Sequence, residues 1–202
     1  MSTFRIRAAA SLTLIAACTA LAPVGASAAE TVASTAGQAK ATGNNLSVGG
    51  MQFKVPAEWK STPPDNSLRF AQFVATPGAA DPVELVVFYF PPGRGGTQEE
   101  NIARWASQFT DDKGGAVKPA MRRTVVNNML VTRMELVGNY SRGVGMGVSG
   151  GNVKKDQALW AAIVATPFQG NLTFHLFGPQ AAVKQQSKRF EAMLKTMKFT
   201  GH

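Results

Sequence analysis

Cysteine and histidine are scarce in this sequence. Cys18 is the only cysteine, and His175 and His202 are the only histidines. Cys18 falls within an N-terminal segment that we predict to be removed, so the remaining chain has no thiol for disulfides, thiolate catalysis, iron–sulfur clusters or cysteine zinc sites. Two histidines cannot form a histidine-rich metal site, and the HExxH motif of zinc proteases is absent. The sequence therefore predicts no metal site and no cofactor.

Motifs for enzyme chemistry are also scarce. Residues 147–151, GVSGG, match the letters of the G-x-S-x-G nucleophile elbow, but that elbow leads from a strand into a helix, and residues 152–164 are typical of loop and strand. The only adjacent carboxylate pairs, Glu99-Glu100 and Asp111-Asp112, lie at the two ends of a predicted helix. In the first turn of this helix, the positive end of the helix dipole favours the negative charge of the first pair. Residues 145–150 match G-x-G-x-x-G, but residues 152–164 are typical of loop and strand, so no helix N-terminus faces a pyrophosphate. We therefore predict that the protein is not an enzyme and has no catalytic residue.

Acidic residues become rare towards the C-terminus. Residues 113–202 contain thirteen Lys and Arg against three Asp and Glu, whereas residues 29–112 contain six against nine. Outside the cytoplasm, such a basic half favours lipid headgroups or anionic cell-wall polymer as partners, rather than nucleic acid. The candidate contacts are Lys154, Lys155, Lys184, Lys188 and Lys195. The alternative interpretation is a solvated face that has no partner.

The longest hydrophobic run lies at the N-terminus. Arg5 and Arg7 precede an apolar stretch that closes on Ala26-Ser27-Ala28, the pattern of a secretory signal peptide. We predict that residues 1–28 are removed and that the protein is exported to the periplasm or the extracellular space. No later run approaches the length of a membrane span, so we expect no transmembrane segment in the mature chain. Because residues 15–18 resemble a lipobox, a lipoprotein anchored to the membrane through Cys18 is the alternative to free release.

Apolar periodicity organises the remaining chain. Residues 29–48 are small and polar, which is typical of a flexible linker, and one domain is predicted at residues 49–200. Alternating or continuous apolar runs predict strands near residues 51–55, 68–75, 83–90, 122–126, 129–140, 158–166 and 172–177. Helical spacing predicts helices over about residues 97–110 and 180–198. This order indicates an α/β (α+β) fold, in which a largely antiparallel sheet is covered by helices on both faces as an α/β/α sandwich.

A binding cleft is predicted around the first helix. Residues 91–96, PPGRGG, connect a strand to this helix and offer backbone amides with the guanidinium of Arg94, which suits an anion. Such connections also favour Gly and Pro without any ligand. Arg104 and Trp105 lie on the helix, and His175 alternates with apolar residues in a later strand. We predict a ligand-binding or partner-binding site near these four residues, formed by Arg94, Arg104 and Trp105, and we interpret His175 as a satisfied sheet residue rather than a base.

Several local runs resemble a family of exported bacterial proteins of no assigned activity. The runs are residues 88–96, Asn101, Arg104-Trp105, Gln108-Phe109, Gly178-Pro179, Val183, Phe190 and residues 193–195. The resemblance spans about residues 51–199, and the order of elements is similar to the Mog1/PsbP fold. Members of that superfold include an extrinsic subunit of photosystem II and a Ran-binding factor. The resemblance therefore implies a docking module rather than an enzyme, and it transfers no functional residue to this chain.

Two functional hypotheses follow from these observations. The first is a non-catalytic exported binding or scaffold protein of the cell envelope, whose partner is an envelope protein or an anionic surface. The second is a small-ligand-binding protein or an enzyme that uses the cleft near Arg94, Arg104 and His175. An enclosed pocket with convergent polar groups distinguishes the second hypothesis from the first.

Overall fold

The computed structural model describes residues 44–141, 152–166 and 170–200. The elements in chain order are β1 (Asn45–Val48), β2 (Met51–Lys54), β3 (Lys60–Thr62), β4 (Ala71–Val74), β5 (Glu84–Phe90), α1 (Gln98–Ala106), β6 (Phe109–Thr110), β7 (Ala120–Val126), β8 (Met129–Tyr140), β9 (Lys154–Thr166), β10 (Gly170–Pro179), α2 (Gln180–Lys195) and β11 (Lys198–Phe199). The predicted signal peptide, most of the predicted linker and the glycine motif at residues 145–150 lie outside the described residues.

The main sheet has the strand order β3-β4-β5-β10-β9-β8-β6, and β7 pairs with β8 beside this path. Every paired strand is antiparallel, as the sequence predicted. The β7–β8 hairpin turns at Asn127 and Asn128, whose φ angles of 47° and 66° are in the left-handed region that asparagine tolerates. In the part of the chain that the structure describes, β7 pairs with β8 alone, so its outer edge is open.

A second sheet of three short strands, β1-β2-β11, lies beside α2 in the apolar core. Leu46 of β1 is opposite Phe53 of β2, and both side chains are buried. The predicted linker is therefore wrong in its last four residues, 45–48, which form β1. Their polar neighbours hid this strand, because only Leu46 and Val48 are apolar and the pattern is too short to register as alternation.

The two faces of the main sheet carry different apolar clusters, because successive strand residues point to opposite sides. In the first core, α2 and the small sheet pack on one face of the main sheet. Its members include Phe53, Ala158, Ala162, Val164, Phe174, Val183 and Phe190. The second core packs α1 and the residues after it on the other face. Its buried members are Trp105, Phe109, Met134, Leu136, Leu159, Ala161 and Ile163.

The fold is α+β and dominated by the sheet, with only two helices among the described residues. Both helices end earlier than predicted. Helix α1 stops at Ala106, since Phe109 and Thr110 pair with β8, and α2 stops at Lys195, since Lys198 and Phe199 pair with β2. Helix α1 has only nine residues and leaves Phe88 and Phe90 of the sheet partly accessible. The predicted cover of both sheet faces by helices is therefore not confirmed for the described residues. Neither helix is long and apolar enough to cross a membrane in the described part of the chain.

Candidate functional site

A cleft lies between α1 and the face of the main sheet that carries the second core. The cavity at the start of α1, which we call the first cavity, measures about 350 Å³. Alternate residues of β10 line its floor, namely Asn171, Thr173 and His175, together with Phe88 and Phe90 of β5. Strand register places them on one face, because Phe90 is opposite Asn171 and Phe88 is opposite Thr173. Helix α1 supplies the wall with Asn101, Arg104 and Trp105.

A second cavity of about 490 Å³ adjoins the first. Four residues line both cavities, so the two spaces meet at their side chains. These shared residues are Phe88, Arg104, Trp105 and His175. The second cavity also has charged side chains at its edge, from Arg69, Glu84 and Lys154. Each of the three has an opposite charge nearby: Arg69 contacts Asp65 at 2.6 Å and Glu84 at 3.9 Å, and Lys154 contacts Asp81 at 2.9 Å.

The start of α1 is fixed by a capping box. The amide of Glu100 donates to the Thr97 hydroxyl at 3.1 Å, and the amide of Thr97 donates to the Glu100 carboxylate at 2.8 Å. The hydrogen bonds that the Glu100 carboxylate accepts from Thr97, first from its backbone amide, hold the pKa of this carboxyl below its ordinary value. Asn101 ties the helix to the preceding loop, since its side-chain amide donates to the Gly95 carbonyl at 2.7 Å. The capping signal in the sequence therefore positions the wall of the cleft.

Close backbone approach explains Gly95 in this loop. Its φ is +88°, and a Cβ atom added there would lie 2.6 Å from the ring of Phe90. A larger residue would therefore collide with the floor of the first cavity and strain the backbone. The PPGRGG segment thus serves the cleft through its glycines, because Gly95 and Gly96 line the first cavity.

His175 is held between two aromatic rings at the centre of the cleft. Its ring centroid lies 4.4 Å from that of Trp105 and 5.0 Å from that of Phe88, both in edge-to-face geometry. Its Nε2 atom is buried and has no hydrogen-bond partner among the described residues. Burial first, and then the positive charges of Arg104 and Arg69, lower the pKa of His175 from 6.5 to about 3. The imidazole is therefore neutral near pH 7.

The interpretation of His175 as a satisfied sheet residue is wrong in one respect. The residue does lie in a strand, where it is opposite Val86 of β5 and Ala161 of β9. However, strand pairing satisfies only its backbone, and the side-chain nitrogen Nε2 lacks a partner. A buried polar atom without a partner costs about 1–3 kcal/mol, so such atoms are uncommon and call for a physical explanation.

Arg104 reaches the cleft from the last turn of α1 and is exposed. One of its terminal nitrogens donates to the Asn101 side-chain oxygen. It forms no ion pair within the described ranges. Trp105, the next residue, is 8% exposed and packs against His175. The structure thus brings together three of the four residues predicted for the cleft.

Arg94 is the predicted cleft residue that the structure leaves outside. It is exposed in the loop before α1 and lines neither cavity. Sequence reasoning in turn missed Phe88, Phe90, Asn171 and Thr173 on the floor. Alternation contains a signal for them. In β10 it places Asn171 and Thr173 on the same face as His175, and in β5 it places Phe88 and Phe90 on one common face. The missing step was the pairing register between the two strands.

The five lysines predicted to contact an anionic surface are divided between two regions. Lys184, Lys188 and Lys195 share one exposed stripe of α2, at the spacing i, i+4 and i+11. Glu191, on the same stripe, is neutralised by Arg133 at 2.6 Å. Lys154 is bound to Asp81 beside the second cavity, and Lys155 is exposed next to it. Within residues 44–141, 152–166 and 170–200, no three His, Cys, Asp or Glu side chains come together as a metal site.

No protein-family model and no curated protein sequence matches the chain. Among solved structures, the chain is similar to cyanobacterial PsbP (CyanoP) from Synechocystis sp. PCC 6803, with 12% sequence identity, 75% of this chain and 87% of that chain covered, and a TM-score of 0.45. It is also similar to a protein from Bacteroides thetaiotaomicron VPI-5482, with 12% identity and a TM-score of 0.42, over 77% of this chain and 47% of that one. At this identity and with these TM-scores, neither likeness assigns a family or a function to this chain.

Proposed function

We propose that this protein is a non-catalytic binding protein that takes a small, largely apolar molecule into the first cavity. One observation carries the proposal: the buried Nε2 atom of His175 has no hydrogen-bond partner among the described residues, and this residue lines an aromatic cavity of about 350 Å³. Ligand pockets in proteins have about 300–1,000 Å³ and combine apolar walls with a few polar groups. The first cavity has both features, since Phe88, Phe90 and Trp105 surround the polar atoms of Thr173 and His175.

The electrostatics of the cleft favour binding over catalysis. A general base works best when its pKa is near the working pH. With a pKa of about 3, His175 is a weak base at neutral pH. Glu100, the carboxylate that lines the first cavity, is engaged in the capping box. Binding therefore accounts for the arrangement without assigning either group a proton-transfer role.

The cellular setting of this proposal comes from the leader sequence. We propose export to the periplasm or the extracellular space on the pattern of residues 1–28, with the lipid anchor at Cys18 as the alternative form. In either form, the ligand is a component of the envelope or its surroundings. The intact mass of the mature protein distinguishes them, because a lipidated N-terminus begins at Cys18.

A cavity-filling substitution tests the proposed function. Indole is a suitable neutral probe, and NMR titration measures its binding through the side-chain signals of Trp105 and His175. Thr173→Phe places a ring in the first cavity, and we expect it to weaken indole binding by at least about tenfold, since the ring takes the volume that the probe requires. Thr173→Leu fills less of the cavity and should give an intermediate affinity.

Val125→Phe is the matched control, because Val125 is 70% exposed on β7, which lines neither cavity. It should bind indole as the unaltered protein does. The proposal fails if indole shows no saturable binding, or if Thr173→Phe binds as tightly as Val125→Phe while both variants remain folded.

A second candidate function rests on α2. We propose that its stripe of Lys184, Lys188 and Lys195 contacts an anionic lipid surface or cell-wall polymer, because none of the three has an ion-pair partner within the described ranges. Each lysine near an anionic membrane is worth about 1 kcal/mol. Unlike the cleft, this surface needs no specific geometry in its partner.

Vesicle binding tests this second candidate. Changing the three lysines to glutamine should weaken sedimentation with phosphatidylglycerol vesicles by at least about tenfold at low salt. The same change at Lys60, Lys113 and Lys118, which are also exposed, provides a control of equal charge. Equal losses in both triple variants would mean that net charge alone attracts the vesicles, and α2 would lose its assigned role.

A further inference from the structure

Arg104 lies at the junction of two cavities and has no ion-pair partner in the part of the chain that the structure describes, so its position defines the chemistry of the ligand. Its guanidinium offers five N–H donors in a planar fork that matches a carboxylate. Its one side-chain hydrogen bond among the described residues goes to Asn101. On the basis of the proposed function, we propose that the ligand is a small aromatic carboxylate whose ring enters the first cavity and whose carboxylate binds Arg104.

The other two cations of the cleft, Arg69 and Lys154, support this assignment, because each already forms an ion pair. Glu100 accepts the amide hydrogen of Thr97, and Glu84 lies 3.9 Å from Arg69. Arg69 and Lys154 are held by aspartates. Among the cationic side chains that line either cavity, Arg104 is the one without an ion-pair partner in the described residues.

The apolar part of the ligand follows from the floor of the first cavity. Phe88, Phe90 and Trp105 offer ring faces and edges, which favour a flat aromatic group over a branched chain. The cavity volume is near the lower limit for ligand pockets, so the group is small. The unpartnered Nε2 atom of His175 adds a polar requirement, since an apolar ring over it leaves that atom buried and unsatisfied. A ring that carries a polar atom meets this requirement.

Three indole compounds of similar shape test the charge requirement. Indole-3-acetate carries a carboxylate, indole-3-acetamide is its neutral counterpart, and tryptamine carries a positive charge. We expect the unaltered protein to bind the acetate at least about tenfold more tightly than the amide, because a hydrogen bond to a charged group is worth more than a neutral one. Tryptamine should bind most weakly, since Arg104 repels it.

Three variants at two arginines assign the effect to its residue. Arg104→Gln should bind acetate and amide with equal affinity, whereas Arg104→Lys should keep part of the preference because it keeps the charge but loses the planar fork. Arg94→Gln removes the same charge from the neighbouring loop, outside both cavities, and should behave as the unaltered protein. Arg94 and Arg104 are both exposed, so we expect all three variants to fold.

The outcomes separate this inference from the proposed function. If none of the three compounds saturates the cleft, the proposed function fails and the inference fails with it. If acetate and amide bind equally to the unaltered protein, or tryptamine binds best, the cleft is a binding site but the carboxylate assignment is wrong. If Arg94→Gln loses the preference as Arg104→Gln does, the preference is a long-range charge effect and the assigned contact is wrong.

Discussion

Replacing Phe174 by alanine is expected to lower the free energy of unfolding by about 3–5 kcal/mol. Phe174 is fully buried in β10, and its ring meets the edge of Phe53 with centroids 4.8 Å apart. Phe53 belongs to the small sheet, so this contact joins that sheet to the main one. The substitution removes the ring and leaves a cavity that β5 and β9, which pair on both sides of β10, cannot easily close. Urea or guanidinium denaturation measures the loss.

Phe199→Ala is the control for this prediction. Phe199 is 58% exposed on β11, so the same loss of side-chain atoms creates no internal cavity. Its expected cost is below about 1 kcal/mol. Should the two variants lose similar stability, the first core would not be the cooperative unit that joins the sheets, and our description of its packing would be wrong.

Acid is expected to destabilise the protein through His175. The group has its ordinary pKa of 6.5 when the chain is unfolded and about 3 when it is folded. Above pH 6.5 both states are neutral at this side chain, and it contributes no pH dependence. Between pH 6.5 and 3 the unfolded chain binds a proton that the folded chain does not, so stability falls as pH falls. The expected slope is about 1.4 kcal/mol per pH unit, or roughly 3 kcal/mol between pH 6.5 and 4.

His175→Phe isolates this effect, because the variant keeps a ring between Trp105 and Phe88 but cannot bind the proton. Denaturation of both proteins across pH 4–8 measures the difference in their free energies of unfolding. This difference should be constant above pH 6.5. Below pH 6.5, the free energy of unfolding should fall more steeply for the unaltered protein than for the variant. Carboxylates with lowered pKa values, such as Glu58 and Glu100, titrate in both proteins and cancel in the difference. Parallel pH curves for the two proteins would contradict the neutral, buried state of His175.

The long elements of the fold could be predicted from the sequence, because their patterns extend over several turns or residues. Strands β5 and β8 begin and end within a residue of their predicted bounds. Strands β1, β3, β6 and β11 were missed, and each has only two to four residues. Such short strands are stabilised by their neighbours. Phe199, for example, is in a strand only because it pairs with Met51, about 150 residues earlier in the chain.

The candidate site was predicted in part for a similar reason. Arg104 and Trp105 were found because a capping box and helical spacing place them on one short helix, and both patterns are local. Phe88 and Thr173 come from strands that are 85 residues apart in register, and no local pattern specifies that pairing. Arg94 was included on the composition of its loop, but the loop directs its glycines to the cavity and leaves this side chain outside.

The open edge of β7 has a consequence for how copies of this protein meet. Unpaired backbone groups along a strand invite another chain to continue the sheet. At the centre of β7, Arg122 and Arg123 are both exposed, and β7 itself contains no acidic residue. Two identical edges approaching each other therefore bring four like charges together, which opposes aggregation by self-association through this strand.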